Sequence, residues 1–347
     1  MHLNFRKCDL IFNQNIFKQL DEYLDFLKEN DPGENLKKVI IGDFNKLSND
    51  DLLKSLLKTK KPRIYAEREV LGNGHDWNIE ELKILGNICA AFQVIVYDDG
   101  KHENPKIYKK PINFTYVFVP GALLRNDLHS NNNFAVDRDL LSEDRKINFD
   151  KFFKYYSDKL YPVLSYINKK SLNKNKKAFI SIPGLGCGQF AAEFKGKLGN
   201  NLKECLVGIL QNYGDELSNI HTVHFDPYNE CENESMNVNG INLNIKPLLL
   251  GEGHPQLSIK NFSHIKNYEN NLDLFTIVAW DHVSWPGNDF YENYRTTDDG
   301  VKSAASNLMS IITGQKGEYR SNCYLPLNRD RTWESLIKEN KISCFWE

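Results

Sequence analysis

The spacing of apolar residues along the chain predicts alternating helices and strands. In residues 14–28, Ile16, Leu20 and Leu24 recur every fourth position, which is the spacing of one helix face. Similar spacing predicts helices at 48–61, 78–89, 152–167, 194–210 and 301–312. Short apolar runs predict buried strands at 93–97, 116–119, 178–182, 222–225 and 274–280, with further strand material at 237–250. This alternation indicates an α/β fold with a mixed, largely parallel sheet flanked by helices.

Polar stretches predict where the chain leaves its core. Residues 126–150 are polar and are expected to form a surface loop, and Pro162 is expected to break the helix at 152–167. The lysine-rich stretch 169–177 predicts a solvated connector. We therefore expect an N-terminal α/β region, 1–168, that packs on and completes the core of a second region, 169–347.

A glycine-rich loop follows the strand predicted at 178–182. Gly184, Gly186 and Gly188 fall within five positions and precede a helical pattern. Glycine lets backbone N–H groups approach a ligand, and a helix start adds unpaired N–H groups and partial positive charge. This arrangement suits a phosphate or diphosphate, and the alternative is a tight turn without a ligand. The spacing matches neither a P-loop nor a full dinucleotide-binding fingerprint.

A second group of residues is acidic. Asp281 follows the strand predicted at 274–280, where open α/β sheets bind ligands, and Asp289, Asp298 and Asp299 come shortly after. Carboxylates can hydrogen-bond ribose hydroxyls, orient a water or stabilise a cationic glycosyl transition state. Each also has a structural alternative: Asp281 and Asp289 can form turns, and Asp298 or Asp299 can cap a helix.

Composition narrows the class of protein. A net charge of −2 gives no field that favours nucleic acid or an anionic membrane. The chain has no apolar run approaching about 18 residues, so no transmembrane segment is expected, and its start lacks the long apolar stretch of a secretory signal. Seven scattered cysteines without a CxxC pair predict a reducing compartment and no zinc site.

Four stretches resemble a known family. IPGLGCGQFA, FDPYNE, AWDHVSWPGNDF and TDDGVKSAASN are similar to motifs of the atypical macrodomain ADP-ribosylhydrolases found among Legionella-type secreted effectors, the MavL-like group. The resemblance spans roughly residues 178–314. It implies a macrodomain-like fold with the two ligand loops in permuted order, an N-terminal α/β extension, and Asp281 where macrodomains have an asparagine.

The same resemblance implies a function. Members of this group hydrolyse the N-glycosidic bond between ADP-ribose and an arginine, so this chain is expected to be an arginine ADP-ribosylation hydrolase that reverses a partner ADP-ribosyltransferase. The implied substrate is an ADP-ribosylated host protein such as ubiquitin or the mitochondrial ADP/ATP translocase. The implied location is that of a bacterial effector, delivered by type IV secretion and acting in the host cytosol or at mitochondria. No cofactor is expected beyond ADP-ribose as ligand and product, and no metal, although clustered aspartates can hold Mg²⁺.

Residues of the site follow from the matching motifs. Asp281, Asp289 and Asp299 match the family's catalytic aspartates. Phe190 or Tyr228 is expected to pack on a sugar or the adenine. The predicted ligand-binding residues are Gly184, Leu185, Gly186, Cys187, Gly188, Gln189, Phe190, Asp226, Trp280 and Phe290.

Two other functions fit the same residues. One is a macrodomain-like module that binds ADP-ribose without turnover. The other is a cysteine hydrolase with Cys187 as nucleophile and His224 or His282 as base, since a helix start lowers a thiol pKa. Against the second, Cys187 also suits a glycine loop simply because its side chain is small.

Overall fold

The computed structural model describes residues 2–4, 8–40, 42, 44–64, 75–125, 136–246 and 257–343. The helices are α1 Asn15–Phe26, α2 Glu34–Val39, α3 Asn49–Lys58, α4 Ile79–Gly86, α5 Phe149–Asn173, α6 Leu198–Tyr213, α7 Tyr268–Asn271, α8 Asp298–Ala304, α9 Leu308–Thr313 and α10 Trp333–Asn340. The strands are β1 His2–Asn4, β2 Asp9–Ile11, β3 Cys89–Asp98, β4 Ile107–Pro120, β5 Lys177–Pro183, β6 Ile220–Asp226, β7 Glu234–Val238, β8 Ile241–Ile245, β9 Leu272–Trp280, β10 Gly317–Arg320 and β11 Cys323–Pro326.

One large sheet organises the described part of the chain. Its strand order is β1-β2-β3-β4-β9-β5-β6-β8-β7. The central strands β4, β9, β5, β6 and β8 are parallel, and the strands on both sides are antiparallel. The mixed, largely parallel sheet flanked by helices confirms the predicted α/β class. No helix in the described ranges combines the length and the apolar character needed to cross a bilayer.

The place of β9 in this order creates a crevice. After β5 the chain moves outward to β6 and β8, and β9 then inserts on the other side, between β4 and β5. Strand order therefore reverses between β5 and β9. The segments that leave their carboxyl ends diverge there, which is where open α/β sheets bind ligands.

Two apolar clusters cover the two faces of the sheet. One contains Leu160 and Ile167 of α5 and Leu202 and Leu206 of α6. The other contains residues of α1, α3, α4, α8, α9 and α10, including Leu20 and Leu56. Local signals predict several of these helices correctly: the Ser48 hydroxyl accepts from Asp51 N at 3.2 Å at the start of α3.

The lysine-rich stretch is not a solvated connector. Helix α5 runs through Pro162 and continues to Asn173, so the expected break and the expected connector are both wrong. Ion pairs hold this end of the helix, because Lys170 lies 3.0 Å from Asp9 and Lys174 lies 2.8 Å from Asp273. Position 168 lies within α5, and the division into regions 1–168 and 169–347 stays a prediction.

Three further segments qualify the predictions. Of the expected surface loop 126–150, residues 126–135 lie outside the described residues, and Asp137 is buried, accepting from Leu123 N at 2.7 Å and from the Tyr155 hydroxyl at 3.0 Å. The end of the strand material at 237–250 also lies outside the described residues. The helix predicted at 301–312 is two helices, α8 and α9.

Candidate functional site

A cavity of about 450 Å³ opens at the carboxyl ends of β5 and β9. It joins the loop after β5, the loop after β9, the turn after β6 and the start of α8. Its lining residues are Ile64, Pro183, Gly184, Gly186, Gly188, Gln189, Phe190, Tyr228, Ala279, Trp280, Asp281, Asn288, Asp289, Thr297, Asp298 and Asp299. The glycine loop and the acidic residues, chosen from separate parts of the sequence, therefore line one cavity.

The glycine loop, residues 184–190, is supported from the end of β4 and from α5. Gly186 has φ +75°, and a Cβ there would lie 2.9 Å from the Ala122 oxygen and 3.0 Å from the Ala122 nitrogen. The Tyr156 hydroxyl donates to the Leu185 oxygen at 2.7 Å. Glycine at 186 is thus required both by the backbone angle and by the close approach.

This loop, whose residues Gly188, Gln189 and Phe190 line the cavity, carries backbone donors that are not used within the described part of the chain. Cys187 N already donates to the Gly184 oxygen at 3.1 Å. Across the described ranges, no acceptor contacts the N–H groups of Gly188, Gln189 and Phe190. Consecutive free N–H groups form a concave anion-binding surface.

Helix α6 does not contribute to this surface, contrary to the expectation. A 3₁₀ helix, Gln189–Phe194, follows the loop, and α6 begins only at Leu198. The Glu230 carboxylate accepts from Gly196 N at 2.9 Å and from Gly199 N at 2.5 Å. A carboxylate of this protein therefore satisfies the helix start that was expected to face a phosphate.

Asp281 holds the turn that follows β9. Its Oδ1 accepts from Val283 N at 2.8 Å and from Ser284 N at 2.6 Å, and the Ser284 hydroxyl donates to its Oδ2. The preceding residue, Trp280, also lines the cavity, with its ring edge-to-face on Phe118. Asp281 thus combines the predicted turn role with a position on the cavity wall.

Asp299 holds the next turn of the same loop. It lies in the first turn of α8, whose N-cap is Thr297, so neither Asp298 nor Asp299 is the capping residue. Its carboxylate accepts from Gly287 N at 2.8 Å and from Asn288 N at 2.9 Å. Burial raises the pKa of Asp299 well above its usual value, and the negative charges of Asp289 and Asp281 add to the rise.

Asp298 lines the cavity but was not among the predicted site residues. Its Oδ2 accepts from Ala279 N at 3.0 Å, and the buried Lys302 ammonium donates to its Oδ1. The spacing of Asp298 and Lys302, four residues apart on α8, is the one sequence signal for this pair. Asp298 thus carries a fixed counter-charge and ties α8 to β9.

Asp289 differs from these three carboxylates. It is half-buried, and Asn288 Nδ2 approaches its Oδ1 at 3.4 Å. That is the one hydrogen bond to its side chain from the residues that the structure describes. Asp289 is therefore the cavity carboxylate least engaged in holding the protein's own backbone.

Four predicted binding residues do not line the cavity. Leu185 and Phe290 are fully buried in the apolar clusters, and burial raises the pKa of the Cys187 thiol well above its usual value. A buried thiol with a raised pKa lacks the character of a nucleophile. Asp226 is buried beneath the glycine loop, where its backbone oxygen accepts from Gly184 N at 3.1 Å and its Oδ1 accepts from Tyr228 N at 3.2 Å.

Sequence reasoning missed a contribution from the N-terminal region. Ile64 lines the cavity, and its N–H donates to Asn288 Oδ1 at 2.7 Å across a separation of 224 residues. No local motif marks such a residue, because the contact depends on how distant segments pack. The other missed lining residues are Pro183, Ala279, Asn288 and Thr297.

Comparison with known proteins agrees with the resemblance. The chain matches the family described as macrodomain effector MavL over residues 8–329, which includes the strands of both halves from β2 to β11. No curated protein matches it. The macrodomain-like fold and the MavL-like relationship are confirmed. The chain therefore belongs to the MavL family, a family of ADP-ribose-related macrodomain effectors.

Proposed function

We propose that this protein is an ADP-ribosylhydrolase that removes mono-ADP-ribose from arginine side chains. One observation carries the proposal: Gly188, Gln189 and Phe190, whose backbone donors have no acceptor within the described ranges, line the same cavity as Asp289 with its loosely engaged carboxylate. A nucleotide diphosphate needs the first feature, and hydrolysis at the neighbouring ribose needs the second. Family membership supports ADP-ribose, and hydrolysis of the arginine linkage goes beyond it.

In the proposed complex the diphosphate lies against the glycine loop. The N–H groups of Gly188, Gln189 and Phe190 donate to its oxygens, which is the use that free backbone donors beside a glycine serve in phosphate sites. The Arg125 guanidinium donates to Gln189 Oε1 at 3.1 Å and brings positive charge to the edge of the loop. Tyr228 lines the cavity and is positioned to pack on the adenosine part.

The distal ribose then lies among the carboxylates. Asp289 orients a water and takes a proton from it as the water oxygen bonds to C1″. The bond from C1″ to the guanidine nitrogen breaks, and Asp299, whose raised pKa favours the protonated form, gives its proton to that nitrogen. The negative charge of Asp281 stabilises the cationic sugar in the transition state. No step in this sequence requires a metal ion.

The cellular setting is part of the proposal. The substrate is an ADP-ribosylated host protein, such as ubiquitin or the mitochondrial ADP/ATP translocase, modified by a partner ADP-ribosyltransferase. The enzyme acts as a secreted bacterial effector in the host cytosol or at mitochondria. Activity in the presence of EDTA supports the metal-free mechanism, and loss of activity that Mg²⁺ restores would refute it.

The test is release of free ADP-ribose from an arginine-ADP-ribosylated protein. Wild-type protein should release it, and Asp289→Asn should not, while both bind ADP-ribose in calorimetry. Asp215→Asn, which changes an exposed aspartate in the turn after α6, is the matched control and should act like wild type.

A binding module is the second candidate. It is favoured by the hydrogen bonds of Asp281 and Asp299, which engage these carboxylates in loop structure. The two functions give different results in the same assay: a binding module retains ADP-ribose affinity and releases nothing from any linkage.

A further inference from the structure

A short segment of the N-terminal region, residues 60–64, lies along the acidic loop, residues 281–289. Lys61 N donates to the Val283 oxygen at 2.9 Å, and Trp285 N donates to the Lys61 oxygen at 2.7 Å. Trp285 Nε1 also donates to the Lys60 oxygen at 2.9 Å. These bonds form a parallel bridge that fixes the middle of the acidic loop to a segment more than two hundred residues earlier in the chain.

The Lys60 side chain enters the space behind the loop. It is 3% exposed, its ammonium donates to the His282 oxygen at 2.6 Å, and it lies 3.9 Å from the centroid of the Trp280 ring. Its contacts therefore flank Asp281 on both sides in sequence. Burial lowers the pKa of Lys60 to about 7. The acidic groups of Asp281 and Cys89 raise it, so they partly offset the effect of burial.

The other end of the segment reaches the cavity. Ile64 N donates to Asn288 Oδ1 at 2.7 Å, and the Ile64 side chain lines the cavity with Asp289. Arg63 pairs with Glu292, which follows the acidic loop. Segment 60–64 thus contacts the acidic loop from His282 to Asn288.

Burying the Lys60 side chain lowers the stability of the fold unless its contacts compensate for the loss of water. Moving an ammonium group out of water carries a large free-energy penalty, and an apolar side chain of similar volume is often neutral or stabilising in its place. A loop of mostly irregular backbone also loses conformational entropy when it is ordered. Contacts that hold both neighbours of Asp281 offset part of that cost at the place where geometry matters for catalysis.

We propose that segment 60–64 is part of the catalytic centre, with Lys60 as a positioning residue that holds the acidic loop and Ile64 as a wall beside Asp289. The proposal rests on the proposed hydrolase function for its catalytic meaning. It predicts that Lys60 affects turnover through the acidic loop, whereas the glycine loop, which Tyr156 and the end of β4 support, keeps its affinity for ADP-ribose.

The test uses the full chain with Lys60→Met. Misplacement of a reacting group by about 1 Å can cost about 10²-fold in rate, so kcat for ADP-ribose release should fall by about that factor. Calorimetric affinity for ADP-ribose should stay within about 3-fold of wild type, a free-energy change well under 1.4 kcal/mol. Hydrogen exchange should accelerate at the amides of 283–285, 287 and 288 and stay unchanged in the core strand β9.

Lys170→Met is the matched control. Lys170 is another lysine with fixed partners, since it is partly buried and bonds Asp9 and the Tyr166 hydroxyl, but it lies near the end of α5 that precedes the amino end of β5. It should leave both kcat and exchange of 283–288 unchanged. A second variant covers the case in which Lys60→Met does not fold. Trp285→Phe removes the hydrogen bond that the indole N–H donates to the Lys60 oxygen, and it should accelerate exchange of the same amides.

The two proposals fail differently. If wild-type protein releases no ADP-ribose, the hydrolase function is refuted, but the exchange comparison still tests whether Lys60 holds the acidic loop. Wild-type kcat and unchanged exchange in Lys60→Met would overturn the positioning role. A uniform rise in exchange across β9 together with lost ADP-ribose affinity would overturn it as well, because that pattern reports general destabilisation.

Discussion

The two loops that line the cavity are held in different ways. Tyr156, Ala122 and Asp226 support the glycine loop, and within the described ranges the N–H groups of its cavity-lining residues Gly188–Phe190 have no acceptor. The acidic loop supports itself with its own side chains, because Asp281 and Asp299 accept hydrogen bonds from its backbone. The glycine loop therefore offers backbone N–H groups to a ligand. The acidic loop offers side-chain carboxylates, chiefly the one that its own backbone binds least.

The four aspartates look equivalent in the sequence but differ in how strongly the protein's own groups bind their carboxylates. Asp281, Asp289, Asp298 and Asp299 all line the cavity. Asp281 and Asp299 bind backbone, and Asp298 pairs with Lys302, which leaves Asp289 as the carboxylate least held by the protein's own groups and the one best placed to orient a water. The comparison ranks the expected effects of substitution.

The largest effect should come from Asp289→Asn. Loss of a general base costs about 10²–10⁴-fold in rate, whereas ADP-ribose affinity should change little because the glycine loop is intact. Single-turnover release of ADP-ribose measures the first quantity and calorimetry the second. Turnover close to wild type in a folded Asp289→Asn protein would remove the distinction between this aspartate and its neighbours.

Glycine substitutions test the other loop. Gly186→Ala forces an L-residue to φ +75° against Ala122 and should lower the free energy of unfolding by about 1–3 kcal/mol. Gly188→Ala, where a Cβ meets open space, should cost less stability but weaken ADP-ribose binding, since the methyl group enters the cavity. Urea unfolding and calorimetry separate the two. Equal stability losses would contradict the view that position 186 is more tightly constrained than position 188.

The pH dependence of stability tests the buried Lys60. Its pKa is lowered to about 7 in the folded protein from 10.5, so between these values the unfolded chain binds more protons. Stability contributed by this residue therefore rises with pH through that window, by up to about 1.4 kcal/mol per pH unit. Lys60→Met should flatten the curve of unfolding free energy against pH by that amount. An identical slope in wild type and variant would show that the amine is not buried as described.

Asp299→Asn should show the opposite trend. The folded pKa of Asp299 is raised, so its contribution to stability is present below the unfolded pKa and is lost as pH rises through the folded pKa. The asparagine variant keeps an oxygen acceptor for the loop amides and has no carboxyl group to ionise. Its free energy of unfolding relative to wild type should therefore be higher at about pH 8 than at about pH 4. Its turnover should fall by about 10²-fold, at the low end of the range for loss of a general acid, because Asp299 is the proposed proton donor. Parallel unfolding curves at both pH values would instead indicate an ionised Asp299.

Much of the fold follows from local signals. Apolar periodicity, the Ser48 cap and the strand runs ending at Pro183 and Trp280 specify elements that the structure contains. The prediction of a solvated connector at 169–177 was wrong because lysines of this stretch form ion pairs with Asp9 and Asp273, which are far away in the chain. The prediction that the start of α6 faces a phosphate was wrong for the same reason. The Glu230 carboxylate, from outside the helix, accepts the hydrogen bonds of the backbone N–H groups there.

The sequence by itself determined the chemical kinds of group in the site: a glycine loop after one strand and aspartates after another, because turn chemistry and strand ends are local properties. Only the tertiary structure decided how firmly the protein's own backbone holds each of those groups. Lys60 reaches the acidic loop across 222 residues, and hydrogen bonds to backbone occupy Asp281 and Asp299 but not Asp289. Such assignments depend on packing between distant segments, and no spacing along the chain encodes them.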